Sequence, residues 1–220
     1  AQNGNGNAAY IDTLKEARKV LVDEAGGTLF TIAKDVKIQV EFNPARVAEY
    51  RLIGYETRLL RREDFNNDRV DAGDVGAGHS VTALYEITPA GSPGRLVDDL
   101  RYGNDHRLPR AAEGAVPNET AVLKIRYKLP DEDASRLITA PIAAAQTHET
   151  LRAAPTESRF AAAVAGFGQL LRGDPYLADF SYDQVLSLAQ GARGPDRFGY
   201  RAEFVQLVRL AQTARAMGDR

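Results

Sequence analysis

Alternating apolar and polar positions in the middle of the chain predict a set of β-strands. In the segment 121–129 the odd positions are mostly apolar, and the even positions hold Lys124, Arg126 and Lys128. A period of two residues is what a strand with one buried and one exposed face requires. Alternation of this kind, bounded by turn residues, predicts strands at 36–42, 46–56, 80–88, 121–129 and 135–142. The first of these strands places Lys37 on its polar side.

Apolar residues recur at helical spacing near the start of the chain. Thr13 and Glu16 have the spacing of a Thr-x-x-Glu capping box, which marks the beginning of a helix. One face of this helix carries Leu14, Ala17, Leu21 and Ala25. Gly26 and Gly27 then supply the left-handed conformation that commonly ends a helix. Residues 1–7, rich in Gly and Asn, are expected to form a loop.

Three further helices are predicted after residue 156. The first carries an apolar stripe at Phe160, Val164, Phe167 and Leu171, and Gly173 ends it. A second capping box, Ser181 with Gln184, opens a short helix with Val185, Leu188 and Ala189 directed inward. The last helix, near 198–216, carries Phe204, Leu207, Val208 and Ala211 on its apolar face.

The order of these elements predicts an α+β protein. Strands joined by turns, with no helix between them, favour an antiparallel arrangement. We therefore expect an antiparallel β-sandwich domain at 35–145, preceded by a helix and followed by a small helical bundle at 146–220. The segments 89–96 and 103–119 are rich in Gly, Pro and Asn and are expected to be long loops.

Composition excludes several classes of protein. The 220 residues have a net charge of −2, which argues against a nucleic-acid surface. No apolar run reaches the length of roughly 18 residues that a membrane-spanning helix needs. The chain has no cysteine, which rules out disulfides, thiolate metal sites and cysteine nucleophiles. Because its single methionine is Met217, we expect it to be a processed or truncated piece of a longer polypeptide.

A polar stretch at 62–80 resembles a calcium-binding loop. Asp64, Asn66 and Asp68 occupy the first, third and fifth positions of an EF-hand-type loop. The sixth position is Arg69 where the loop needs glycine, and the twelfth is Val75 where it needs a bidentate Glu. Asn, Asp and Gly are equally the residues that a turn between two strands requires. We therefore favour a turn, with Ca²⁺ as the weaker hypothesis, and expect no other cofactor.

No arrangement of residues indicates catalysis. The three histidines, His79, His106 and His148, form no His-Glu-x-x-His motif, and there is no Gly-x-Ser-x-Gly nucleophile elbow. A hydrolase-like enzyme with a cleft where the sandwich meets the helices is the alternative. It requires His79 or His148 in a deep pocket beside a carboxylate.

Several segments resemble a bacterial family. The segment 10–44 is similar to the end of a bacterial von Willebrand factor A domain running into its neighbour. The segments 47–89, 124–130 and 199–211 resemble the region that follows that domain in YfbK-like proteins. The resemblance implies that residues 1–34 are the C-terminal end of an A domain and that a domain of uncharacterised function follows. It also implies a lipoprotein-type export signal before the A domain, and a location in the cell envelope, the periplasm or at the cell surface.

The metal site of such A domains does not extend to this chain. That site requires an Asp-x-Ser-x-Ser motif, which the sequence lacks. We therefore expect a non-enzymatic protein-interaction or scaffolding region that binds its own A domain and further protein partners, binds no nucleic acid and contains no membrane span. In this hypothesis the loops 57–80 and 89–119 contact partners. A calcium-stabilised structural module is the third hypothesis.

Overall fold

The computed structural model describes residues 9–23, 30–54, 60–97, 118–177 and 179–218. These residues divide into two compact units. The sheet unit comprises the described residues up to Glu49, between 57 and 81, and between 88 and 146. The helical unit comprises those at 50–56, 82–87 and from 147 onward. The boundary passes within the second and fourth strands, so it does not coincide with the ends of secondary-structure elements.

Six strands and four α-helices make up the described fold. The strands are β1 (Thr31–Phe42), β2 (Val47–Leu52), β3 (Gly73–Gly76), β4 (Tyr85–Pro89), β5 (Glu119–Lys128) and β6 (Arg136–Ala143). The α-helices are α1 (Leu14–Arg18), α2 (Thr156–Arg172), α3 (Tyr182–Gly191) and α4 (Tyr200–Gly218). A π-helical turn, Lys19–Asp23, continues α1, and the short 3₁₀ helices are Arg62–Asn66, Ala144–Gln146, Leu151–Ala153 and Pro175–Leu177.

The sheet unit is built on a four-stranded antiparallel sheet in the order β3-β1-β5-β6. Ile38 of β1 is opposite Ile125 of β5, which is opposite Ile138 of β6. Directly opposed residues share a face of the sheet, so these isoleucines form one row on its apolar side. Ile38 and Ile138 are about half exposed, at 53% and 48%. The apolar face of this sheet is therefore only partly covered.

β2 and β4 form a separate two-stranded sheet. The Ile53 amide donates to the Leu84 carbonyl, and the Ala90 amide donates to the Arg46 carbonyl, so this pair is also antiparallel. The prediction of a mixed α and β fold with antiparallel sheets is confirmed. The pairing establishes two sheets, and does not by itself make them the two layers of a sandwich.

The strand predictions were right in number except for one short strand. The strand that was not predicted is β3, which lies within the stretch predicted as a turn. Its sequence, Gly-Asp-Val-Gly, has no alternation of apolar and polar residues. The strand predicted at 80–88 begins only at Tyr85, and the one predicted at 46–56 ends at Leu52 within the described residues. Predicted features at Ala25, at Gly26 and Gly27, and across most of the loop 103–119 fall outside the described residues.

β1 contains a bulge that changes which residues share a face. Lys34 is opposite Lys128, whereas Lys37 is opposite Arg126, so three steps along β1 match two along β5. Asp35, between them, has φ 53°. An extra residue in one strand displaces the alternation by one position. Lys34 and Lys37 therefore both lie on the face that carries the cationic residues of β5.

The helical unit packs around one apolar core formed by α2, α3 and α4. Its buried members are Ala163, Phe167, Val185, Ala189, Val205 and Val208. Phe167 and Phe204 meet edge to face with ring centroids 5.5 Å apart, which ties α2 to α4. The capping box at the start of α3 is confirmed, with Ser181 and Gln184 bonded in both directions.

The predicted apolar stripes of α2 and α4 were partly wrong. Val164, Leu171 and Leu207 are exposed, and the buried positions are instead the small residue Ala163, with Gly166, and Val205. The reason is that close packing of helices favours small side chains at the contact. Larger apolar residues one position away then turn toward solvent.

The first helix also differs from its prediction. The Glu16 amide donates to Thr13 Oγ1 over 3.2 Å, so the predicted cap is present. The apolar face that it introduces is exposed, with Leu14 at 88% and Leu21 at 67%. Spacing alone indicates which residues share a face, and cannot indicate whether anything packs against that face.

Candidate functional site

The stretch resembling a calcium loop lies on the charged face of the four-stranded sheet. We call residues 62–68 the acidic turn; it includes the 3₁₀ helix Arg62–Asn66. Phe65 is buried at its centre, and the Arg126 guanidinium carbon lies 5.8 Å from the centroid of the Phe65 ring. Burial of Phe65 and this cation–π contact hold the turn against β5. The described part of the predicted partner loop 57–80 is thus packed on the sheet along this turn.

Lys37 lies underneath the acidic turn. Its exposure is only 3%, whereas the strand alternation predicted a solvent-facing side chain. The Lys37 ammonium donates to the backbone carbonyl of Asn67 and, over 3.3 Å, to that of Asp64. The prediction for Lys37 was wrong because the turn that covers it comes from a distant part of the chain.

A second lysine joins the acidic turn to the β1 bulge. Lys128 Nζ donates to Asp35 Oδ2 over 2.7 Å and to the Asp68 carbonyl over 2.9 Å. Burial acts to raise the pKa of Asp35, but the hydrogen bond and charge of Lys128, with the amide of Ala72, outweigh it and lower that pKa. The hydrogen bond that Lys128 donates to Asp35 raises the pKa of Lys128 above its ordinary value. Both groups therefore favour their charged forms.

The candidate calcium ligands make separate contacts. Asn66 Oδ1 accepts from Arg126 Nη2 over 3.1 Å. Asp68 lies 3.9 Å from Arg126 Nη1, and a hydrogen bond from Ser135, followed by the charge of Arg126, lowers the pKa of Asp68. Asp64 contributes its backbone carbonyl to Lys37. Across the described residues, no cluster of three or more His, Cys, Asp or Glu side chains could hold a metal ion.

A second polar cluster in the helical unit surrounds Arg51. Its guanidinium bonds Glu86 at 2.6 Å and Gln169 at 2.9 Å, and lies 3.4 Å from Asp174. The same guanidinium stacks 4.5 Å from the centroid of the Tyr176 ring. A cavity of about 330 Å³ opens beside it. Because Arg51 is already bonded to three side chains, this cluster joins β2 and β4 to the end of α2. No local pattern predicts this link, since its members lie far apart in the chain.

The histidines in the described residues do not form a catalytic arrangement. His79 and His148 are both exposed, and His106 falls outside the described residues. Neither the cavity beside Arg51 nor a second one of about 260 Å³ beside Phe198 is lined by histidine. The hydrolase alternative requires a deep pocket that contains His79 or His148, and neither of these two cavities is such a pocket.

Comparison with known proteins places the chain in a family. The family model described as "Uncharacterized protein YfbK, C-terminal" matches residues 27–214. The "Uncharacterized protein YfbK" of Escherichia coli (strain K12) is 50% identical over 211 residues, covering 96% of this chain and 35% of that protein. The chain therefore spans about a third of that relative's length. No solved structure matches it.

None of the helices within the described ranges of the chain is both long and apolar enough to cross a membrane.

The family match covers most of the chain, and the identity to the relative extends over nearly all of it. The chain belongs to the family of YfbK C-terminal regions.

Proposed function

We propose that this chain is a non-enzymatic protein-interaction and scaffolding region of a longer, exported bacterial protein of the von Willebrand A type. The observation that carries the proposal is apolar surface at the start of the chain. Tyr10, Ile11, Leu14, Leu21 and Val22 are all exposed. Apolar side chains grouped on one short segment are typical of a surface that another protein segment covers.

The helix in this segment needs packing that the described residues do not supply. α1 and the π-helical turn together run only from Leu14 to Asp23. Isolated helices shorter than about 12–15 residues are marginal in water, and most helical stability in proteins comes from packing of an apolar face. We therefore propose that this face packs against the part of the full-length protein that lies outside this chain, and that residues 1–34 complete an A domain.

The remaining architecture and the location follow from the same proposal. The partly covered face with Ile38 and Ile138 would be one layer of the predicted β-sandwich, and α2 to α4 would form the C-terminal bundle. The family resemblance supports a location in the cell envelope, the periplasm or at the cell surface. The sandwich would hold the A domain in a fixed orientation and leave other surfaces for protein partners.

Hydrogen exchange on two proteins tests the central step. Amide exchange of residues 10–23 is measured in this chain alone and in the full-length protein that contains it. We expect the full-length protein to protect these amides strongly, because it buries Leu14 and Leu21. Equal exchange in the two proteins would contradict the proposal.

A pair of double variants provides the matched control. Leu14→Ser with Leu21→Ser should lower the stability of the full-length protein by roughly 1.5–3 kcal/mol for each leucine that becomes buried. Leu207→Ser with Leu210→Ser changes two leucines that are exposed on α4 and should have little effect. If both pairs behave alike in the full-length protein, the N-terminal face has no special role.

A capture experiment tests the wider interaction role. The full-length protein and this chain are used side by side to capture partners from a cell-envelope extract. We expect one set of partners to be captured only by the full-length protein and another set to be captured by this chain as well. Recovery of no specific partner with either protein would count against a scaffolding function.

A further inference from the structure

We propose that the ammonium groups of Lys37 and Lys128 take the place of a metal ion in holding the acidic turn on the sheet. In a calcium loop, carbonyl and carboxylate oxygens from a short segment converge on one bound cation. Here the oxygens of such a segment converge on two side-chain cations that the sheet itself supplies. This inference does not depend on the proposed function.

The backbone carbonyls of the turn carry the argument. The carbonyls of Asp64 and Asn67 accept hydrogen bonds from Lys37, and the carbonyl of Asp68 accepts one from Lys128. The Asp64 and Asn67 carbonyls also accept from the backbone amides of Asn67 and Val70, so the lysine takes up the second acceptor position of each oxygen. A cation is the natural partner for several such oxygens in a small space.

Burial and charge indicate that the lysines are part of the turn's structure. The Lys37 side chain is almost entirely buried. Burying an ammonium group is costly unless it finds hydrogen-bond acceptors, and two carbonyls of the turn accept from Lys37. Lys128 adds an ion pair with Asp35, so the second cation site contains both a carboxylate and a carbonyl oxygen.

Lys37 and Lys128 share one face of the sheet because Lys37 is opposite Arg126, two residues from Lys128 on β5. The bulge in β1 brings Lys34 to the same face, and the bulged residue Asp35 supplies the carboxylate that Lys128 binds. Arg126, directly opposite Lys37, binds Asn66 of the same turn. The near-match to a calcium loop in the sequence thus has a physical reason, since the turn contains oxygen ligands for a cation fixed in the protein.

The test combines removal of each lysine with addition of Ca²⁺. Lys37→Met and Lys128→Met remove the ammonium group and keep a long apolar side chain. We expect amides at 63–70 to exchange about tenfold faster or more in these variants, because carbonyls of the turn lose an ammonium partner that holds them on the sheet. Lys124→Met is the control, since Lys124 lies on the same strand as Lys128 and pairs with Glu41 of β1.

The wild-type protein gives a second, independent readout. Its melting temperature should be the same in millimolar Ca²⁺ and in a calcium chelator, because any ion bound only by the native state would raise it. A rise with Ca²⁺ would overturn the proposal in favour of a metal site. Unchanged exchange at 63–70 in both lysine variants would overturn it as well. If Lys37→Met does not fold, Lys128→Met and the Ca²⁺ measurement decide.

Discussion

The Phe180 ring occupies the space that a side chain at Gly166 would need. A Cβ atom built on Gly166 would lie 2.2 Å from Phe180 Cε1 and 2.8 Å from Phe180 Cδ1. The ring belongs to the segment between α2 and α3 and packs against the core of the helical unit. The absence of a side chain at residue 166 is therefore what allows this segment to close over α2.

Gly166→Ala should destabilise the helical unit by about 1–3 kcal/mol. Alanine is the better helix former by roughly 1 kcal/mol, but overlap with an aromatic ring in a packed core costs more. Urea unfolding monitored by circular dichroism measures the change.

Gly168→Ala is the matched control in the same helix. No atom lies within 4 Å of a Cβ built at Gly168. This substitution should therefore stabilise the protein by about 0.4–1 kcal/mol, because it reduces the entropy of the unfolded chain. Stabilisation by both substitutions would show that the Phe180 ring does not exclude a side chain at residue 166.

Arg51→Ala should lower stability by roughly 1–3 kcal/mol, because it leaves Glu86 and Asp174 without their cation and the largely buried Gln169 without its donor. Arg51→Lys should recover only part of this loss, since a single ammonium cannot reproduce the guanidinium's separate bonds. Urea unfolding gives both values.

Arg136→Ala is the comparison for an exposed ion pair. Arg136 bonds Glu132 across 2.7 Å at the surface, and such pairs contribute between about 0 and 1 kcal/mol. If Arg51→Ala costs no more than Arg136→Ala, the Arg51 cluster has no structural role.

Acid should weaken the contact between Asp35 and Lys128. The pKa of Asp35 is lowered in the folded protein from its ordinary value of 3.8, so its contribution is present above that value. It is lost as the pH falls through the lower, folded pKa. Asp35→Asn removes the charge and tolerates positive φ. Its deficit in stability against wild type should therefore shrink as the pH is lowered from 7 to about 3.

Asp133→Asn controls for the general effect of removing a carboxylate. Asp133 is fully exposed and lies 4.0 Å from Lys34. Its stability relative to wild type should change little with pH. A deficit in Asp35→Asn that is constant over the same range would mean that the pKa of Asp35 is not lowered on folding.

Asp196→Ala should cost about 1–2 kcal/mol because its carboxylate accepts from the backbone amides of Arg201 and Ala202 in the first turn of α4. Burial acts to raise the pKa of Asp196, but these two amides outweigh it and lower that pKa. Asp196→Asn should recover only part of this loss, since its single amide oxygen can accept from one of the two amides, although Asn tolerates the φ of 36° at this position. An equal loss of stability in Asp196→Ala and Asp196→Asn would mean that the negative charge of Asp196, and not its role as a hydrogen-bond acceptor, stabilises this turn.

Local signals in the sequence were sufficient for much of the fold. The alternation at 121–129 predicts β5, and Ser181 with Gln184 predicts the start of α3, because each pattern follows from residues only a few positions apart. The burial of Lys37 depends instead on a turn about 30 residues later in the chain. No periodicity within the strand could reveal it.

The candidate site shows the same limit. The sequence identified Asp64, Asn66 and Asp68 as oxygen ligands at suitable spacing. It could not show that Lys37, Arg126 and Lys128 lie opposite them, since these contacts join segments that are about 27 to 60 residues apart in the chain. Small residues such as Ala163 and Gly166 also carry too little hydrophobicity to be recognised as the contact surface of α2.

The extra residue at Asp35 allows β1 to present a carboxylate to Lys128. Deleting one position between Lys34 and Lys37 would leave two steps along β1 for two along β5, so Lys34 would stay opposite Lys128 in a regular strand, but the bulge that presents Asp35 would be lost. Members of this family should therefore rarely gain or lose a residue at this point.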